Sequence, residues 1–171
     1  MAITLTPPEK SVKGLGNLLI LAIPRSAVLS PTGKATIAEM NAAGAVDITY
    51  SHVPDGFVYT PGYEMLPDDR LTFPQKREER GLATDTLVST IVYGSAAAVA
   101  DPLLIEDTEF IIAVRDAVPH NQAISATDKW DFHNVEVKSK VKSPHTNSVR
   151  TKVVTYGYQQ PVLKDQVALT A

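Results

Sequence analysis

The second half of this chain is a series of β-branched runs separated by turn residues, and that pattern leaves little room for a helical fold. Thr86 to Tyr93, with Leu-Val-Ser-Thr-Ile-Val at its centre, and Thr108 to Val114 are two such runs. Lys129 to Lys142 and Ser148 to Gln159 are two more. Side chains branched at Cβ crowd a helix but pack well on a pleated surface, so each run reads as a strand. Ser143-Pro144-His145-Thr146-Asn147, between the last two, has the chemistry of a hairpin loop. Within 129–142 the apolar phase changes: Trp130 and Phe132 are even, whereas Val135, Val137 and Val141 are odd. Strand side chains alternate with a period of two, which predicts a bulge or kink at His133-Asn134. Lys138, Lys140 and Lys142 then line the face opposite the valines. In the next strand Val149, Thr151, Val153 and Thr155 oppose Arg150, Lys152 and Tyr156, which makes a long amphipathic ribbon.

The first half is more varied. Asn17 to Pro24 is a short aliphatic run closed by proline and reads as a buried strand. A turn at Pro31-Thr32-Gly33 precedes the clearest helical signal, Ala35 to Ala43, with Ile37, Met40 and Ala43 on one face and Gly44 as the stop. So short a helix depends on packing. Val46 to Tyr50 alternates like a half-buried strand, and Ser95 to Pro102 reads as a short helical turn. Residues 60–84 differ. Pro61, Gly62, Pro67, Pro74 and Gly81 accompany the charged run Lys76-Arg77-Glu78-Glu79-Arg80, with no sustained period. They read as a long loop, and a loop of this length calls for a function or an external partner. It is expected to be an arm that docks on a neighbouring subunit, and residues 1–16 to be an N-terminal arm. The whole, 1–171, reads as one mainly β domain with one short helix.

Composition removes several function classes. There is no cysteine, hence no disulfide, thiolate metal site or cysteine nucleophile. Met1-Ala2-Ile3-Thr4-Leu5-Thr6-Pro7-Pro8 lacks the basic-then-apolar order of a secretory signal, and the Asn17–Pro24 run is too short to cross a bilayer. A soluble protein made in a cytoplasm is expected. The net charge of −3 is unevenly spread. Residues 129–164 carry Lys129, Lys138, Lys140, Lys142, Arg150, Lys152 and Lys164 against Asp131 and Glu136, a balance of +5 that leaves −8 elsewhere. The aromatics of this segment are not spaced as a stacking platform, so it reads as an exposed face complementing an acidic neighbour more than as a nucleic-acid footprint.

No catalytic constellation emerges. His52, His120, His133 and His145 each lack a second ligand at metal-binding spacing. No serine lies in a Gly-x-Ser-x-Gly elbow, and Gly14-Leu15-Gly16 precedes a strand where a phosphate loop would precede a helix. Asp68-Asp69 and Glu78-Glu79 are neighbours along the chain, not facing acid–base pairs. The sequence therefore yields no catalytic, metal-binding or cofactor-binding residues, and a structural or binding role is expected.

Certain segments resemble a known family. They are Leu87 to Tyr93, then Leu104-Ile105-Glu106-Asp107-Thr108-Glu109-Phe110-Ile111-Ile112-Ala113-Val114-Arg115, then Trp130 to Val137, and finally Lys152-Val153-Val154-Thr155 with the tail Pro161 to Ala168. Upstream, Ala38 to Thr49 matches a helix-then-strand element. Together they resemble the tail tube (major tail) proteins of long-tailed phages, especially those infecting actinobacteria. Where relatives often carry glycine in the turns flanking the Phe110 strand, this chain has Asp107 and Asp116-Ala117.

The resemblance implies a β-sandwich or open barrel with one flanking short α-helix and a long loop. Subunits of this kind close into rings, six to a ring, that stack into a tube. Its implied partners are copies of itself, other tail proteins (tape measure, terminator, baseplate) and viral DNA passing through the lumen without specific binding, with no membrane and no cofactor. The place is the virion tail, assembled in the host cytoplasm. An acidic lumen wall would repel phosphate where a basic wall would trap it. The charged residues Asp69, Lys76, Arg77, Glu78, Glu79, Arg80, Lys138, Lys140, Lys142, Arg150 and Lys152 become candidate inter-subunit contacts. Other readings are a tail terminator or head–tail connector ring, a nucleic-acid-binding β-module, and a small-ligand barrel or an enzyme with dispersed residues.

Overall fold

The computed structural model describes residues 16–68, 77–95, 98–144 and 149–169. Among these residues ten strands and two one-turn helices follow in order. They are β1 (Leu18–Pro24), α1 (Ile37–Met40), β2 (Val46–Asp47), β3 (His52–Thr60), β4 (Tyr63–Asp68), β5 (Arg77–Ala83), β6 (Thr86–Val92), α2 (Ala100–Leu103), β7 (Glu109–Asp116), β8 (Lys129–Lys142), β9 (Thr151–Tyr158) and β10 (Leu163–Val167). The expected mainly β character is borne out, and the named strands pair antiparallel. The main sheet has the order β2-β1-β7-β8-β9-β6-β3, and β10 pairs with β8. Its terminal strands β2 and β3 are joined by residues 48–51 alone, a connection that spans at most about 18 Å. The two ends of the sheet must therefore curl toward each other, as in an open barrel.

The sheet buries apolar side chains on both faces. Inside the curl, Ile20, Ile112, Val135, Val137, Leu87, Ile91, Val154 and Tyr156 pack with Ile48 and with Leu104 beside α2. On the opposite face of β1, β7 and β8, Leu19, Leu21, Ile23, Ile111, Trp130 and Phe132 are covered by Met40 of α1, Val28 and Ala168. This explains the phase change in β8. Its pairing with β7 runs without a break from Val114↔Asp131 to Glu109↔Glu136, so the kink expected at His133-Asn134 is absent. Trp130 and Phe132 point to one layer and Val135 and Val137 to the other; the covering layer changes, not the strand. An irregularity does occur, but between Val137 and Ser139 against β9. It reverses the facing of everything beyond it. Lys140 and Lys142 come to the side of Val137, and Val141 turns outward, 62% exposed.

The expected helix over Ala35–Ala43 shortens to one turn. Thr36 and Glu39 form a capping box: Glu39 N donates to Thr36 Oγ1 at 3.1 Å and Thr36 N to Glu39 Oε2 at 2.7 Å. Asn41 ends it, its side-chain amide donating to the Ile37 carbonyl. The expected strand over Val46–Tyr50 is two residues long and passes into a 3₁₀ turn at Thr49–Ser51.

The expected long loop 60–84 contains a second, two-stranded sheet instead. β4 pairs with β5 directly beyond the β3–β6 pair, so His52–Asp68 and Arg77–Val92 make one ribbon bent at Pro61-Gly62. Backbone pairing inherited from β3 and β6, and not residue preference, carries the strands onward. Asp107 and Ala117, in the turns that flank β7, adopt left-handed φ of 61° and 63°.

Candidate functional site

The sequence-predicted charged residues fall at two places on this framework, and some fall outside it. Asp69 and Lys76 lie outside the described residues. Arg77 begins β5, and Glu78, Glu79 and Arg80 follow on the exposed β4–β5 ribbon. Glu78 and Glu79 have no ion-pair partner among the described residues. Arg80 lies over the ring of Tyr63, 3.1 Å from its centroid. The same ribbon exposes Met65, Leu66 and Leu82, the last at 76%. These apolar side chains belong to neither core.

The base of the ribbon is built to hold one geometry. Asp85 accepts from the Gly62 amide at 3.0 Å and from the Tyr59 hydroxyl at 3.1 Å. A Cβ on Gly62 would lie 2.6 Å from Thr84 Oγ1 and 2.9 Å from the Thr84 carbonyl, so the bend accepts only glycine there. Beneath it, His133 is buried with Nδ1 2.8 Å from the Tyr158 hydroxyl. Burial lowers this imidazole to about 4, with Lys164 adding to the effect and Asp131 and Asp85 opposing it. Burial, then the charges of Tyr59 and Asp85, raise the Tyr158 phenol.

The basic residues gather at the far end of the same sheet, where β8 turns toward β9. Two of them are internally committed. Lys152 Nζ lies 2.6 Å and Lys140 Nζ 3.2 Å from Asp101 Oδ1, and Lys140 also donates to the Asp101 and Leu104 carbonyls. Burial alone would raise the Asp101 carboxyl, but hydrogen bonds and charges from Lys152 and Lys140 outweigh it and hold the group below its ordinary value. Lys138 pairs with Glu136 at 2.7 Å, and its stem lies over Gly157, where a Cβ would meet it at 2.7 Å. Lys142 and Arg150 remain exposed. Asp101 is the residue the sequence reading missed. It is separated by 39 and 51 positions from the lysines it binds, and no local signal joins them.

The arrangement offers contact surfaces more than chemistry. Among the described residues no group of three His, Asp or Glu side chains could hold a metal ion. His52 contacts the Ile48 carbonyl at 2.8 Å and His120 the Asp47 carboxylate at 2.6 Å, while His145 lies outside the described residues. Among those residues, no helix is long and apolar enough to cross a membrane.

The family model described as phage tail tube protein matches residues 7–171. The chain belongs to the phage tail tube protein family. For this family member the fold has a counterpart among solved structures, in the cryo-EM structure of the anti-feeding prophage baseplate, determined with sixfold symmetry. That likeness has a TM-score of 0.55 at 8% identity and covers 95% of this chain and 100% of the other. At that identity it speaks to the fold alone. A comparison with curated protein sequences finds no match. Family membership makes the chain a structural component of a phage tail.

Proposed function

We propose that this protein polymerises into the tail tube itself, with rings of subunits stacked head to tail around a channel for DNA. The observation that carries the reading is the placement of complementary groups at opposite ends of one sheet. The ribbon, with Glu78, Glu79 and exposed apolar side chains, continues from the Thr86 end of β6. Lys142 and Arg150 lie at its Val92 end: Lys142 pairs with Lys152, which is opposite Ile91, and Arg150 follows beyond the Val92↔Thr151 pair. Six residues of strand, about 20 Å, separate those ends. The acidic ribbon of one subunit therefore has its counterpart on another copy. A contact between two different patches does not close on itself and so propagates a filament.

Ring closure has its own support. Among the described residues β3 pairs only with β6 in the main sheet, and beyond Val137 β8 has left β7, which gives β8-β9-β6-β3 two edges to offer to lateral neighbours. Pairing β3 of one copy with β8 of the next removes both edges. The sixfold symmetry of the baseplate whose fold it shares favours six subunits per ring. In this reading the protein is not an enzyme, assembles in the host cytoplasm, works with the tape measure, terminator and baseplate, and forms one domain over 1–171. Lys142 and Arg150 meet Glu78 and Glu79, with Asp69, Lys76, Arg77 and Arg80 at the same ribbon contact and Lys138, Lys140 and Lys152 adding positive potential. Negative-stain microscopy of the purified protein at rising concentration tests it. Hollow tubes of uniform width are expected; rings that never lengthen would favour a terminator or connector instead.

A further inference from the structure

We infer that Glu106 restrains the free subunit from joining its neighbour, because its carboxylate occupies the strand-edge amide that a second copy must take. The inference rests on the ring-closure reading above, in which β3 of one copy pairs with β8 of the next. Up to Val137 the edge of β8 is filled by the chain entering β7. There the Asp107 amide donates to the Val137 carbonyl at 2.9 Å and the Val137 amide to the Thr108 carbonyl at 3.0 Å. Beyond Val137 the edge has no strand against it among the described residues. Successive backbone groups of a strand point alternately to its two sides. The Ser143 amide, just past β8, faces β9 and donates to the Thr151 carbonyl at 2.9 Å. Lys140 and Lys142 therefore present their amides to the free edge. The first is already taken: Lys140 N donates to Glu106 Oε1 at 2.7 Å.

The opposite edge of the sheet shows why that amide matters. Lys140 is opposite Val154, Val154 opposite Ser89, and Ser89 opposite Phe57, so one rung crosses all four strands. On β3 the pairing is regular over Phe57–Thr60 but breaks between His52 and Phe57. Pro54, in that break, has no amide to give, and Asp55 is turned to a left-handed φ of 56°. The regular edge of β3 thus begins on the rung of Lys140, and the edge of β8 offers two residues. A stagger between neighbours changes which β3 residue meets Lys140, not the need for its amide. The contact can open while the fold stays. Leu104 is fully buried, and its carbonyl accepts from the Lys140 ammonium at 2.8 Å, which fixes the segment leading to Glu106. Glu106 itself is exposed, so its carboxylate can turn into water. A charged acceptor on an edge amide keeps strand edges from pairing indiscriminately. It sets a threshold: copies concentrated at a growing tube displace the carboxylate, and dilute ones do not.

The test compares the full-length chain with Glu106→Ala and Glu106→Gln over a concentration series, read by light scattering and negative-stain microscopy. Glu106→Ala tubes are expected at a concentration at least about tenfold below that of the natural chain. Glu106→Gln, whose neutral oxygen is a weaker acceptor, should fall between them. Glu109→Ala removes the same charge from a nearby exposed position without uncovering an edge amide, and should leave the threshold unchanged. Hydrogen exchange at the Lys140 amide gives a second readout on dilute, unassembled protein. It should be at least about tenfold faster in Glu106→Ala than in the natural chain. Equal thresholds, an equal drop in Glu109→Ala, or unchanged exchange at Lys140 would each overturn the inference while leaving the tube reading intact. Tubes from neither the natural chain nor Glu106→Ala at any concentration would overturn both.

Discussion

Arg115 Nη1 donates to Asp128 Oδ2 at 2.7 Å, and the two side chains are 0% and 8% exposed. The guanidinium also donates to the Gln122 carbonyl at 2.9 Å and the Pro119 carbonyl at 3.2 Å, while Asp128 accepts from the Ser125 amide. One buried pair thus ties down the whole connection from β7 to β8. Asp128→Ala leaves an uncompensated buried charge and is expected to cost about 3–5 kcal/mol. Urea denaturation checks it, and replacing both residues by leucine should cost less than the single change.

A second ion-pair cluster acts through α2. Removing Asp101 leaves Lys140 and Lys152 facing each other with no acid between them. Asp101→Ala should lower stability by about 1.5–3 kcal/mol, the range for hydrogen bonds to charged groups. Because the folded carboxyl titrates below its ordinary value, its contribution is full above about pH 4 and fades as pH falls through the folded value. A plot of stability against pH should show that acid limb in the natural chain and lose it in the variant.

These features were not equally legible in the sequence. The bounds of β8 could be read to the residue, because β-branched side chains and turn residues mark both ends. Which layer covers each stretch could not, since burial on both faces of one strand mimics a change of phase. The position of the irregularity after Val137 was equally hidden, and with it the inward turn of Lys140. β4 and β5 escaped for another reason. Glu64, Pro67, Glu78, Glu79 and Gly81 are poor strand formers, and the ribbon exists because it continues pairing already set by β3 and β6. Of the candidate contacts, Glu78 and Glu79 were readable as a charged segment, whereas the Asp101 partnership needed three-dimensional proximity.

His133 supplies a pH dependence of its own. Burial lowers it from 6.5 to about 4, so between those values the unfolded chain binds a proton that the folded chain refuses. Stability is therefore full above about pH 6.5 and falls as pH drops toward 4, by about 3 kcal/mol in total. His52, lowered by burial as well, adds to the same limb. His133→Gln should flatten part of this slope in thermal melts taken across that range.

Ala117 is exposed and holds a φ of 63°, a conformation that costs an L-residue roughly 1–2 kcal/mol. Ala117→Gly removes that strain without removing a packed side chain. Thermal melting should rise for this variant, less the entropy that glycine adds to the unfolded chain.

The central claim is that the acidic ribbon of one subunit meets the basic end of the next. Charge reversal tests it most directly. Glu78→Lys with Glu79→Lys should leave the subunit folded, since both side chains are exposed, yet abolish tube growth at moderate salt. Adding Lys142→Glu and Arg150→Glu to the same chain should restore growth. Tubes of normal length from the first variant, seen by electron microscopy, would contradict the account.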